Sequence, residues 1–188
     1  MKLELKRYPN LAGKSVILYE DSGLNAVVVD YSKNVRDVTL GMPIRTVLQR
    51  YPGAILIRAN PEQYSRVLTR MTDLLSLISP NIERNGLGCT YIDLDGINHI
   101  PNNEAKIVAR ILDAAPEYLY PRVGVAEGKF PSYVAALSSQ AGRATLIPQK
   151  ASHFLRSFSV DLLPVPSQTK VSFHNLGMHT LGELADQS

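Results

Sequence analysis

The chain has 188 residues, 45% of them apolar, and its 20 lysines and arginines against 17 aspartates and glutamates leave a net charge of +3. That length suits one ordinary domain or a few small subdomains. No apolar run approaches the ~20 residues a membrane-spanning helix needs. The charged start Met1-Lys2-Leu3-Glu4-Leu5-Lys6-Arg7 lacks the apolar core of a signal peptide, so a cytoplasmic location with no membrane partner is the default expectation. Cys89 is the sole cysteine, which excludes an intrachain disulfide and argues against a cysteine-based zinc site.

In chain order, Ser15–Tyr19 and Ala26–Val29 read as two β-strands joined through the turn residues Asp21-Ser22-Gly23. A short helix from about Ile44 to Tyr51 follows Gly41-Met42-Pro43, where Pro43 suits a first turn and Tyr51-Pro52-Gly53 a stop. Ala54–Ile57 is a third strand. From Pro61 the apolar positions Tyr64, Val67, Leu68, Met71, Leu74, Leu75 and Ile78 form one stripe of an amphipathic helix, ended by Ser79-Pro80. A hairpin comes next, Asn81–Glu83 and Cys89–Leu94. A helix over Glu104–Ala115 turns Ile107, Val108, Ile111 and Leu112 inward. Pro121–Ala126 is a strand leading to the loop Glu127-Gly128-Lys129, and Pro131–Leu137 is a helix. This order predicts an α+β fold, a ferredoxin-like palm with helices on one face of its sheet. The last fifty residues, with Pro148, Pro164 and Pro166, read as a small helical subdomain.

Charge is uneven along the chain. Residues 1–59 carry a balance of +4, residues 60–137 of −2 and residues 138–188 of +1. A phosphate-bearing partner would meet the first third most favourably.

Several short patterns occur in a fixed order: Gly41-Met42-Pro43, Tyr51-Pro52, Pro61-(x2)-Tyr64, Ser79-Pro80-Asn81-Ile82-Glu83, Tyr91-Ile92-Asp93, Gly124-Val125-Ala126 with Lys129, and Leu176-Gly177-Met178-(x)-Thr180-(x2)-Glu183-Leu184-Ala185. Taken together, the chain resembles the Y-family (UmuC-type, translesion) DNA polymerases over nearly its whole length. The resemblance implies fingers at 1–59, palm at about 60–137 and a helical thumb at about 138–188, ending abruptly at Asp186-Gln187-Ser188. It also implies two-metal phosphoryl transfer, with Mg²⁺ held by three acids. The family motif Ser-x-Asp-Glu-x-Tyr-x-Asp corresponds here to Gly86 through Asp93, so the Asp-Glu pair is replaced by Gly88 and Cys89. Neither is a ligand for Mg²⁺, which takes hard oxygen donors. The first acid would lie on a palm strand just before residue 1, with Leu3-Glu4 as the tail of the helix that follows that strand.

Other family positions are partly kept. Tyr31 matches a tyrosine on the incoming triphosphate, Asn34 stands where an arginine would be, and Lys33 and Arg36 are its neighbours. Lys129 matches a triphosphate lysine. The thumb's first helix-hairpin-helix, near Leu163–Ser167, lacks its glycines, while Gly177 survives and with Lys170 is a candidate DNA contact. Gly177 also reads simply as a helix C-cap. These losses resemble the non-catalytic ImuB-like branch of the family. They imply a DNA-binding scaffold or mutasome adaptor of repair and the SOS response, with no cofactor. Primer-template DNA is then the partner, with a sliding clamp and other mutasome proteins reached through regions outside this chain. The alternatives are an active translesion polymerase using Mg²⁺ with displaced acids (Asp93, Asp95 and Glu83 are the nearby candidates) or a purely protein-binding module.

Other chemistry is weakly signalled. Asp93 and Asp95 share a strand face and could bind a metal, but Asp95-Gly96 is more simply a turn. Cys89 with His99 lacks the motif of a thiol nucleophile. The four histidines, His99, His153, His174 and His179, show no metal-ligand spacing, and no glycine-rich phosphate loop is present.

Overall fold

A computed structural model describes residues 1–22, 25–95, 104–147 and 150–187. Gly23, Gly96, His99 and Pro148, which figure in the sequence reading, lie outside the described residues. The chain divides into two compact units, Met1–Asp73 and Leu74–Ser188.

In the first unit, helix α1 (Lys2–Arg7) leads through a 3₁₀ turn at Pro9–Leu11 into strand β1 (Val16–Ser22), followed by β2 (Asn25–Tyr31), helix α2 (Ile44–Arg50), β3 (Ile55–Arg58) and most of α3 (Pro61–Ser76). The sheet order is β2-β1-β3. The expected hairpin is antiparallel, with a register shift between Leu18 and Tyr19, and β3 returns parallel to β1. The β-branched run Val16-Ile17 fills the centre of this sheet. Ile17, Val28, Val35, Val38, Ile44 and Val47 form a buried cluster, which fixes the strands from one side.

The Gly41-Met42-Pro43 pattern has a clear structural role. Gly41 takes φ +81°, which a side chain would strain. Its N–H then reaches Val28 O at 2.8 Å, and the Val28 N–H reaches Met42 O at 3.0 Å. Pro43, extended and lacking an N–H, sits at the N-cap of α2.

The second unit begins at the end of α3. The predicted stripe of α3 is covered except at Leu74, which is exposed. Buried Ser79 joins the helix end to the hairpin that follows. Its hydroxyl donates to Asp93 O at 2.6 Å and accepts from Asn81 N at 3.2 Å. The hairpin is β4 (Ile82–Asn85) with β5 (Cys89–Ile92). Then come α4 (Glu104–Asp113), β6 (Arg122–Val125), α5 (Lys129–Ser138) and β7 (Arg143–Leu146). β6 and β7 pair in parallel. Gly124 is required where α5 crosses β6, because a Cβ there would lie 2.0 Å from Ser132 O and 2.3 Å from Ala136 N. The helical reading of 138–188 misses β7, whose four residues Arg-Ala-Thr-Leu carry no run of β-branched side chains. Beyond it, the short helices α6 (Ser152–Leu155), α7 (Ser167–Asn175) and α8 (Leu181–Ala185) follow. Arg156 ties this segment to Asp186 through two hydrogen bonds, at 3.0 and 2.5 Å. Among the described residues no helix is long and apolar enough to cross a membrane.

Candidate functional site

The β4–β5 hairpin carries Gly88 and Cys89, which the sequence resemblance pairs with the acids of the family motif. Gly86 turns the chain with φ +70°, and Leu87 stands exposed at the tip. Gly88 is not forced by crowding, since a Cβ there would meet nothing within 4 Å. Cys89 opens β5, opposite Asn85, and Tyr91 lies opposite Glu83. Directly opposed residues and alternate residues of a strand share a face, so Asn85, Cys89, Glu83 and Tyr91 form one surface. Burial raises the Tyr91 hydroxyl pKa above its ordinary value; the neighbouring Cys89 adds to the rise and Asn85 opposes it.

Lys129, the first residue of α5, belongs to this same face. Its ammonium forms an ion pair with Glu83, both side chains 59% exposed, and stands 5.7 Å from the centre of the Tyr91 ring. The lysine that resemblance assigns to a triphosphate therefore already has an internal carboxylate partner.

Asp93 and Asp95 form a turn. The Asp95 N–H donates to Asp93 Oδ1 at 2.9 Å, and the Asp93 N–H donates to Asn81 O at 3.0 Å. Among the described residues, no three His, Cys, Asp or Glu side chains converge to hold a metal ion. At the hairpin itself Gly88 brings no donor, Cys89 brings sulfur, and Glu83 is engaged by Lys129. That donor set does not fit a pair of Mg²⁺ ions, which take carboxylate oxygens in near-octahedral geometry.

In the first unit, Tyr31 is half-buried against the apolar cluster. Lys33 is exposed. The Asn34 side chain ties its loop to the segment before β1: its Nδ2 lies 3.3 Å from Gly13 O and 3.2 Å from Ser15 Oγ, and its Oδ1 lies 2.6 Å from Ser32 Oγ. Ser32, absent from the sequence reading, organises this loop. It is buried, and it bonds Val16 both through its hydroxyl (3.0 Å) and through its N–H (2.9 Å). Its only sequence signal was a small polar residue just after a β-rich run. The Arg36 backbone is held at both ends by the Tyr51 hydroxyl, at 2.8 and 2.9 Å. Asn34 is thus a loop strut, while Lys33 and Arg36 remain at the surface.

In the last segment, Gly177 (φ +78°) ends α7. Its N–H bonds His174 O at 3.0 Å and the Met178 N–H bonds Phe173 O at 2.9 Å, the paired bonds of a Schellman motif. The Gly177 N–H is spent within the chain, as a C-cap requires. The Lys170 ammonium donates to Asp161 O at 2.6 Å. Thr180 and Glu183 form a reciprocal capping box at α8. The backbone N–H groups of His179 and Thr180 both donate to Glu183 Oε2 at 2.8 Å and lower its pKa.

Comparison with known proteins places this geometry. The impB/mucB/samB (IMS) family matches residues 1–137. Proteins named DNA polymerase IV are similar in sequence: one from Sulfurisphaera tokodaii is 26% identical, over 96% of this chain and 54% of its own length. Another, from Caulobacter vibrioides, is 28% identical over 97% of this chain and 47% of its own. The chain spans about half the length of such relatives. Among solved structures, DinB from Sulfolobus solfataricus superposes with a TM-score of 0.80 at 23% identity, covering 100% of this chain and 57% of that one. An insertion ternary complex of Dbh DNA polymerase gives 0.75 at 24% identity, covering 96% and 55%. These likenesses establish the α+β fold of Y-family polymerases. With its family match running through both the β2-β1-β3 sheet and the β4–β5 hairpin, this chain belongs to the impB/mucB/samB family.

Proposed function

We propose that the chain is a DNA-binding, polymerase-fold scaffold of translesion repair that does not itself transfer nucleotides. The observation that carries this reading is the β4–β5 hairpin, where Gly88 and Cys89 stand in place of two acids and nothing crowds Gly88 out of bearing a side chain. The Lys129–Glu83 pair supports it, since a lysine neutralised within the chain holds an anionic ligand less strongly. In this reading residues 1–59, 60–137 and 138–188 act as fingers, palm and thumb. The +4 balance of residues 1–59 favours contact with a phosphate backbone. The ImuB-like branch, with clamp and mutasome partners, is the form of adaptor this reading favours.

The names of the relatives favour a second reading, an active polymerase, and primer extension separates the two. The first reading predicts no extension by this chain, or by a longer protein containing it, with Mg²⁺ and all four nucleotides, together with primer-template binding that weakens as salt rises. Extension by the longer protein overturns it. Absence of salt-dependent binding would point instead to a purely protein-binding module.

A further inference from the structure

The fold brings two histidines together that the sequence spacing keeps five residues apart. His174 is in the last turn of α7, and His179 follows the Schellman reversal at Gly177. Their Nδ1 atoms face one another at 2.9 Å, and their ring centres are 5.2 Å apart. The other ring nitrogen of His174, Nε2, lies 2.9 Å from Asp161 Oδ1. Asp161 is held in turn by Ser159, whose hydroxyl donates to Asp161 Oδ2 at 3.1 Å.

The proton inventory follows from these contacts. An ionised carboxylate only accepts, so the His174 nitrogen that faces Asp161, Nε2, is the one that carries the proton. In neutral His174 the Nδ1 lone pair then accepts the hydrogen bond from His179 Nδ1. A carboxylate that orients one ring nitrogen so that the other is free is the arrangement that supports metal-ligating histidines. His179 completes the pair by moving its proton from Nδ1 to the opposite ring nitrogen, with no net proton released. Two nitrogens about 2.0–2.1 Å from one ion and at right angles stand about 2.9 Å apart, and a tetrahedral ion needs about 3.4 Å. The observed separation meets the first and is about half an ångström short of the second.

We infer that His174 and His179 form a two-imidazole site for a divalent transition ion, zinc or copper(II), with Asp161 orienting His174 and water completing the coordination. Imidazole suits these ions, whereas Mg²⁺ favours oxygen donors. The site is independent of the β4–β5 hairpin and of any nucleotide chemistry.

Calorimetric titration of the full chain with Zn²⁺ tests it. One equivalent is expected to bind. His174→Asn and His179→Asn should each weaken it at least ~10-fold, and Asp161→Asn about 10–100-fold, the usual effect of removing such a carboxylate. His153→Asn is the control and should leave binding unchanged. Equal affinity in the wild type and the His174→Asn/His179→Asn double variant overturns the proposal, and unchanged affinity in Asp161→Asn overturns the role given to Asp161. Because a variant can disturb the loop, Cu²⁺ on the wild type gives a second readout by electron paramagnetic resonance. Hyperfine coupling to two imidazole nitrogens supports the site, and coupling to fewer overturns it.

Discussion

The sheet β2-β1-β3 and the hairpin β4–β5 are both made of short strands, yet different forces hold them. The sheet rests on six buried aliphatic side chains. Neither strand of the hairpin contains a fully buried residue. The hairpin is fastened by its backbone ladder, by Ser79 on Asp93 O, and by an exposed ion pair. An apolar cluster constrains the volume and shape of each member. A ladder and a few polar ties constrain the backbone and leave side-chain identity open. That difference leaves the side chains at Gly88 and Cys89 less constrained than those of the apolar cluster.

Mutation can break this comparison. Ile17→Ala removes a fully buried side chain from the centre of the sheet, and should cost about 2–5 kcal/mol in denaturant unfolding. Leu87→Ala, at the exposed hairpin tip, should stay within about 0.5 kcal/mol of wild type. Equal losses would show that the hairpin is locked by packing after all. An intermediate effect is expected at Tyr64, whose hydroxyl donates to Glu4 Oε1 at 2.7 Å. Glu4 is only 2% exposed, so Tyr64→Phe leaves a buried carboxylate without this donor, at about 1–3 kcal/mol. The same contact predicts alkaline behaviour. Burial, then the bond to Glu4, pushes Tyr64 up to about 12 from 10.0. The folded state holds that proton more tightly, so the contribution is full below pH 10 and is lost between pH 10 and about 12. Unfolding measured across that range should show a smaller loss in Tyr64→Phe than in wild type, with Tyr91 keeping its own share.

What the sequence revealed follows the same division. Aliphatic and aromatic periodicity placed β1, β2, β3, α2, α3 and α4 within a few residues, because burial of one face is what produces the pattern. It missed β7, where Gly124 and α5, rather than β-propensity, set the pairing. At the candidate site, the identities of Gly88 and Cys89 were legible as departures from a motif. The engagement of Lys129 by Glu83 was not, because the two are 46 residues apart and meet only through the fold. Asn34 looked like a changed ligand beside Lys33 and Arg36. Its tie to Gly13 and Ser15 depends on a loop closure that no local pattern encodes. His174 and His179 lacked helical ligand spacing because a Schellman reversal separates them.

The loss expected at Glu83 bears most directly on how the hairpin is held. Glu83→Gln removes the charge partner of Lys129 while keeping a side chain of the same length. Both groups are 59% exposed, so water screens the pair and the stability loss should be about 0.2–1 kcal/mol, shrinking as salt rises. The ammonium stays near the Tyr91 ring, whose face attracts a cation whether or not Glu83 is charged. Thermal unfolding at low and high salt measures both terms. A loss near that of Ile17→Ala, insensitive to salt, would mean that the ion pair locks the hairpin as firmly as the apolar cluster locks the sheet. Freedom at Gly88 and Cys89 would then need another explanation. A small, salt-sensitive loss leaves the hairpin as a backbone frame whose charged face can change without unfolding it.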